Sequence, residues 1–240
     1  EADRMLSIGF YPDMREVKSY LPRRPISTYM FSATFPEHVI RLSKEFMYKP
    51  QMLSLSSKQV HVTEIDHAYY EVPSMGKERQ LMRILEMENP TSAIIFCNTK
   101  ANVEFVSAVL NNFGFNAADL TSDLSQSKRE RVLAQLRDGS VRFLVATDIA
   151  ARGIDVPDLS HVIMYEPPED KESYIHRAGR TGRAGSSGVA ISLVDVIQKI
   201  ELQRIATAYN INFEVRELPD DKQVLETINE RLTTILEGRF

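Results

Sequence analysis

Apolar residues follow two rhythms along this chain. Short unbroken runs such as 93–97 and 143–146 are bounded by polar residues, while longer stretches such as 101–112 and 125–137 mix apolar and polar positions at helical spacing. The first rhythm predicts buried strands and the second amphipathic helices. Strands are read at 65–71, 92–97, 116–120, 142–146, 161–165 and 189–193, and helices at 76–86, 101–112, 125–137, 172–179 and 195–209. Ser125 is placed to cap the third of these helices and Gly139 to stop it. Strands alternating with helices of this length predict an α/β fold: a mainly parallel sheet, covered on both faces by right-handed crossovers in a three-layer αβα sandwich.

The first residues read differently: a helix at 14–20, a strand at 28–31, a helix at 36–46 with proline in its first turn, and a strand at 51–55. Residues 54–61 are polar and aperiodic, as an interdomain linker would be. The layout is therefore 1–56 as the closing part of one domain, 57–62 as linker, 63–216 as a second domain, and 217–240 as a helical extension. In that extension a helix at 220–236 carries Val224, Leu225, Ile228, Leu232, Ile235 and Leu236 on one stripe, expected to pack on its own domain.

Composition narrows the class without naming it. The chain is 43% apolar and 26% charged, with one cysteine, Cys97, which excludes an internal disulfide framework and reads as a small core residue. No apolar run approaches the roughly 20 residues that span a bilayer, and no metal-ligand spacing appears. A cytoplasmic protein without membrane attachment is expected. The net charge of -4 rules out bulk electrostatics as a route to nucleic acid, so any such binding must be local. Lys100, Arg129, Arg131, Arg142 and Arg152 are expected to share one face for that purpose.

The chemistry concentrates at the ends of strands. His176-Arg177-Ala178-Gly179-Arg180-Thr181-Gly182-Arg183 packs three arginines and a histidine into eight residues. If a helix runs over 174–180, His176 and Arg180 stand one turn apart, and Gly182 lets Arg183 curl back beside Arg180. Two planar guanidiniums would then converge on one phosphate. Phe143 to Ala146 runs into Thr147-Asp148-Ile149-Ala150-Ala151-Arg152-Gly153-Ile154-Asp155, and the run at 93–97 into Asn98-Thr99-Lys100. Gln126-Ser127-Lys128-Arg129 opens a helix, and Ser32-Ala33-Thr34 follows an apolar triplet. Taken singly these have plain alternatives: a solvated basic helix end, a Ser/Thr helix cap, an ordinary first turn, and turn capping by Asp148 and Asp155.

Taken in order, the five segments closely resemble the motifs of DEAD-box RNA helicases of superfamily 2, of the bacterial cold-shock or ribosome-assembly type. Residues 32–34 resemble motif III, 96–99 motif IV, 126–129 the Gln-x-x-Arg element, 147–155 motif V and 176–183 motif VI. Glu1-Ala2-Asp3 resembles the end of the Asp-Glu-Ala-Asp box. The resemblance implies RecA-like domains, ATP and Mg2+ as cofactors and RNA as partner. It implies that Glu1 orients the attacking water, that Asp3 belongs to the carboxylate and Mg2+ network, and that Arg180 and Arg183 are arginine fingers on the γ-phosphate. His176 would bond across the cleft to Asp3, Asp155 would touch the ribose, and Arg152 would tie motif V to the opposing domain. Thr99, Arg129, Thr147 and Gly153 would hold the RNA backbone, and Ser32 and Thr34 would couple nucleotide state to strand separation.

No Gly-x-x-x-x-Gly-Lys-Ser/Thr phosphate loop occurs in the 240 residues. The resemblance thus implies a fragment starting inside motif II and inactive alone. A non-catalytic module that binds RNA or docks a partner is the competing function, with a DNA translocase as a third reading, and an accessory region beyond residue 240 could form a homodimer. Two departures from the family pattern stand out. Thr121-Ser122-Asp123 replaces the frequent His-Gly-Asp. Tyr165-Glu166-Pro167-Pro168 replaces Tyr-Asp-Leu-Pro, a change expected to alter the loop's shape more than its chemistry.

Overall fold

The computed structural model describes residues 2–6, 9–22, 24, 26–32, 35–53, 65–151, 159–168, 170–182 and 187–238. It forms two compact units, Glu1–Lys58 and Gln59–Phe240.

The first unit holds three helices, α1 (Ala2–Met5), α2 (Tyr11–Ser19) and α3 (Glu37–Phe46). α2 begins three residues before its predicted start because Pro12, with its preset φ, sits in the first turn. Tyr11 links α2 to α3: its hydroxyl donates to Glu45 Oε2 at 2.7 Å and its ring meets Phe46 edge-on. The strand expected at 28–31 is not formed, nor is one at 51–53, while 54 and 55 lie outside the described residues. A strand exists only as a rung in a ladder, and no ladder is found among the described residues of this unit. Tyr29 and Phe31 are 78% and 79% exposed as a result.

The second unit runs β1 (Ile65–Glu71), α4 (Lys77–Glu88), β2 (Ala93–Phe96), α5 (Lys100–Asn112), β3 (Ala117–Leu120), α6 (Gln126–Arg137), β4 (Phe143–Ala146), α7 (Asp148–Ala151), β5 (His161–Met164), α8 (Lys171–Ala178), β6 (Gly188–Val194), α9 (Val196–Tyr209), β7 (Glu214–Arg216) and α10 (Asp221–Glu237). Its seven strands are all parallel, in the order β3-β4-β2-β5-β6-β1-β7. The expected three-layer α/β sandwich is thus observed. β7 and α7 went unpredicted because three- and four-residue elements carry no readable period.

Every residue of β2 and β4 is buried, and alternate positions serve opposite layers. Ile95, Phe143 and Val145 join Leu81, Ile84, Leu85, Val103, Val106 and Leu110 beneath α4 and α5. Ile94, Phe96 and Leu144 join Leu133, Leu136, Tyr174, Leu202 and Ile205 beneath α6, α8 and α9. Each such aliphatic side chain stabilises the fold by about 2 kcal/mol, so four-residue strands suffice when both faces are covered. Ser125 occupies the N-cap of α6 but makes no cap bond, its hydroxyl facing that of Ser127 instead. Gly139 does end the helix, with φ at +78°.

The terminal stripe divides. α10 lies along α4, joined by Arg83–Asp221, by Arg231–Glu86 at 3.3 Å and by the Thr227 hydroxyl on Met87 Sδ at 3.4 Å. Val224 and Ile228 are half-buried, whereas Leu225, Leu232, Ile235 and Leu236 stay 60%, 53%, 55% and 61% exposed. One helix neighbour covers about a third of a helix circumference, too little for the whole stripe.

Two positions test this packing. A Cβ on Gly188 would lie 2.1 Å from Thr181 Oγ1 and 2.5 Å from Gly182 N, so Gly188→Ala is expected to cost about 3 kcal/mol in urea unfolding. Cys97 is fully buried, and desolvation, aided by Glu166, pushes its thiol up to about 12 against the pull of Arg177 and Lys77. Iodoacetamide at pH 8 should therefore modify it only as fast as the domain opens; modification at the rate of a free thiol would contradict the burial.

Candidate functional site

β2 crosses by α5 to one side of the sheet and β5 by α8 to the other, so the carboxyl ends of these adjacent strands form a switch point. Open parallel sheets leave a crevice there that ordinarily takes a ligand. In this protein Arg177 fills it. Its Nε and Nη2 donate to Asp148 Oδ1 and Oδ2 at 2.8 and 2.7 Å, Nη1 to Glu166 O at 2.6 Å, and Nη2 also to Asn98 Oδ1 at 2.7 Å. The guanidinium also lies 5.2 Å from the Phe96 ring centre, and the residue is 1% exposed. One side chain thus binds the loops after β2, β4 and β5 to α8.

The local sequence explains how it arrives there. Asp170 caps α8, accepting from Ser173 N at 2.7 Å and Ser173 Oγ at 2.6 Å. Tyr174, Arg177 and Ala178 then fall on the inward face at i, i+3 and i+4, all buried. Tyr174 is held by His67 Nδ1 at 2.7 Å and by Phe213 edge-on, and burial raises its phenol well above the ordinary range. The same spacing would have marked Arg177 as inward-facing from sequence; its basic neighbours obscured it.

The predicted residues fall as follows. Thr99 caps α5, its hydroxyl accepting from Asn102 N at 3.2 Å, and it remains exposed. Thr147 is buried and caps α7 through Ala150 N at 3.4 Å. Arg129 is half-buried and donates from Nη2 to Ala150 O at 2.8 Å, so the Gln-x-x-Arg element braces α7. Both carboxylate oxygens of Asp148 accept from Arg177, and no cap bond from Asp148 is found among the described residues. His176 and Arg180 are half-buried. The helix expected over 174–180 stops at Ala178, where Gly179 N–H closes on Ile175 O at 2.9 Å, so Arg180 lies in the following turn. In the first unit Asp3 is buried, and Ser32 Oγ donates to Asp3 Oδ1 at 2.5 Å. Glu1, Thr34, Arg152, Gly153, Asp155 and Arg183 lie outside the described residues.

Arg142 does not join the expected basic face. It precedes β4 and bonds Pro90 O at 2.5 Å and Asn89 Oδ1 at 2.7 Å, at the opposite, amino edge of the sheet. Lys100 does lie at the carboxyl edge, paired with Asp123 of the Thr121-Ser122-Asp123 loop. Beneath the edge Lys77 donates to Leu193 O at 3.0 Å and sits 5.3 Å from the Tyr165 ring centre. Burial lowers its pKa, against the opposing pull of Glu166 and Asp195.

Among the described residues no three His, Cys, Asp or Glu side chains gather as a metal site. No helix among them is long and apolar enough to cross a membrane.

Residues 76–185 match the helicase conserved C-terminal domain. The chain is 38% identical over 226 residues to DEAD-box ATP-dependent RNA helicase CshA of Geobacillus kaustophilus, covering 94% of this chain and 48% of that protein. It is 34% identical to the solved structure of E. coli DEAD-box protein SrmB bound to regulator of ribonuclease activity A, covering 66% of this chain and 93% of that one, with a TM-score of 0.59. The chain belongs to the DEAD-box helicase family. Its fold is RecA-like: S. cerevisiae Dbp5 bound to RNA and ADP BeF3 superposes with a TM-score of 0.82 at 30% identity, over 96% of this chain and 61% of Dbp5. The chain spans about half the length of the curated relatives it matches.

Within this DEAD-box chain, Arg177 joins the motif IV and V loops to the helix that opens motif VI. Arg177→Met should cost about 2 to 3 kcal/mol in urea unfolding, because the half-buried Asp148 carboxylate and the Glu166 carbonyl would lose their shared donor. Arg177→Lys should recover only part, since an ammonium cannot fork across one carboxylate and reach two further oxygens. A lysine variant as stable as wild type would contradict this account of the node.

Proposed function

We propose that this chain supplies the second RecA-like half of an ATP-dependent RNA helicase. In this reading residues 1–56 close the first half, 57–62 link the halves and 217–240 extend the second. The supporting observation is that one buried arginine draws the segments corresponding to motifs IV, V and VI to a single sheet edge. ATP held by the other half supplies the phosphoryl group. Arg180 with Arg183 neutralises charge spreading over the γ-phosphate, and Glu1 orients the water. His176 bonds to Asp3, Arg152 braces motif V against the opposing domain and Asp155 takes the ribose. Ser32, already on Asp3, and Thr34 relay nucleotide state to the RNA side. Mg2+ belongs with the other half, Asp3 contributing indirectly.

On the RNA side Thr99, Thr147, Arg129 and Gly153 hold sugar and phosphate without reading bases, which implies little sequence preference. Thr147 and Arg129 are already committed to α7, so they act by holding the motif V backbone as much as by direct contact. Both ligands favour the closed arrangement of the two halves, so each strengthens the other. The cytoplasm, where RNA and ATP are available, is the proposed location, and self-association through a region beyond residue 240 is compatible with this reading.

Three outcomes are expected. The 240 residues alone should show no RNA-stimulated ATP hydrolysis; turnover in a clean preparation would remove the need for a phosphate loop elsewhere. In a two-domain helicase carrying this chain, Arg180→Ala should lower hydrolysis by about a thousandfold or more with the fold retained by circular dichroism. Retained turnover there would remove the finger assignment. Arg129 is the one cation among the proposed RNA contacts, so the log–log slope of RNA affinity against salt should be shallow, about -1, and duplex RNA should be preferred over duplex DNA of the same sequence.

A further inference from the structure

Glu166 follows β5, in the Tyr165-Glu166-Pro167-Pro168 segment where the family commonly has aspartate. Its carboxylate reaches across the switch point. Oε2 accepts from Asn98 N at 2.7 Å, and Oε1 from Asn102 Nδ2 at 2.9 Å. Its own carbonyl accepts from Arg177, while Asn98 Nδ2 donates to Pro167 O at 3.0 Å. Asn98 is thus fixed at its backbone amide and at both side-chain heteroatoms. Asn102 is fixed at its side chain by Glu166 and at its amide by Thr99 Oγ1.

Thr99 lies between these two fixed residues, exposed, at the start of α5. The carboxylate stands beside the start of α5, and a charge-assisted bond to a backbone amide, here that of Asn98, is stronger than a neutral one. An aspartate is one methylene, about 1.5 Å, shorter and could not span Asn98 and Asn102 together from the same backbone. The substitution in this chain therefore keeps the carboxylate and extends its reach, so that one side chain meets both Asn98 and Asn102.

We infer that Glu166 is a positioning residue for RNA binding, clamping the motif IV turn so that the Thr99 hydroxyl meets the RNA backbone in one orientation. The inference rests on the RNA reading given above, and adds to it a residue that touches no RNA. Hydrogen bonding does the positioning, so glutamine can replace glutamate: its Oε1 accepts from Asn98 N while Asn102 turns its amide to accept from Nε2. Alanine and aspartate cannot do both.

The test uses the 240-residue chain, a uridine decamer titrated by NMR, and amide exchange at 98–102. Glu166→Ala and Glu166→Asp should weaken RNA binding about tenfold and speed exchange at Asn98 and Asn102 by a similar factor, with exchange in β2 and β5 unchanged. Glu166→Gln should restore most of both. Asn102→Ala should weaken binding on its own yet add little to Glu166→Ala, as expected of two residues in one clamp.

If wild type binds the decamer and Glu166→Ala binds it equally well, the inference fails and the RNA reading stands. Failure of wild type to bind would overturn the RNA reading and the inference with it. A glutamine variant as weak as alanine would show that charge matters rather than positioning. Exchange that rises throughout the sheet in step with the affinity loss would show a general structural role. Either of these last results overturns the inference.

Discussion

A cation in the switch-point crevice is the constraint on which the second unit's functional edge depends. Arg177 is removed from water, and its desolvation is offset because each nitrogen of its planar fork meets an oxygen: two from Asp148, one from Asn98 and one from the backbone of Glu166. A buried ion is tolerated when it is paired and hydrogen-bonded, and removing a partner leaves the guanidinium to bear more of the cost of burial. The strands beneath are four residues long, so the loops they deliver would have little support of their own. The buried guanidinium makes three loops and a helix end behave as one body.

That arrangement bears on the proposed role in RNA binding. A net charge of -4 gives no general attraction, and the cations at this edge are mostly engaged: Arg177 inside, Arg129 on α7, Lys100 on Asp123. What the edge offers a backbone is a set of hydroxyls and amides in fixed relation. Preorganised neutral donors cost little to align at binding and carry no sequence information.

Much of the fold was legible in the sequence. The runs at 93–97 and 143–146 had to be strands buried on both sides, and the stretches between them helices, because nothing else satisfies their periods. Elements that depend on neighbours were not legible. Residues 28–31 have strand composition but no ladder, and α10 carries a stripe wider than its single neighbour can cover. For the site, the ordered motif segments were visible as polar loops after apolar runs. The inward turn of Arg177 among basic neighbours, the reach of Glu166 to Asn98 and Asn102, and the placement of Arg142 at the far edge were not.

The sequence by itself determined the alternation of strands and helices and the two-sided burial of the sheet, since these follow from residue type and period. Tertiary structure alone decided which partners the buried arginine of the octet takes: Asp148, Asn98 and the Glu166 carbonyl. That choice turns on where the carboxyl ends of β2, β4 and β5 converge, and convergence depends on the strand order β4-β2-β5, which places residues 98, 148 and 166 side by side. No local pattern encodes that order, because it is a property of how the crossovers pack over the sheet as a whole.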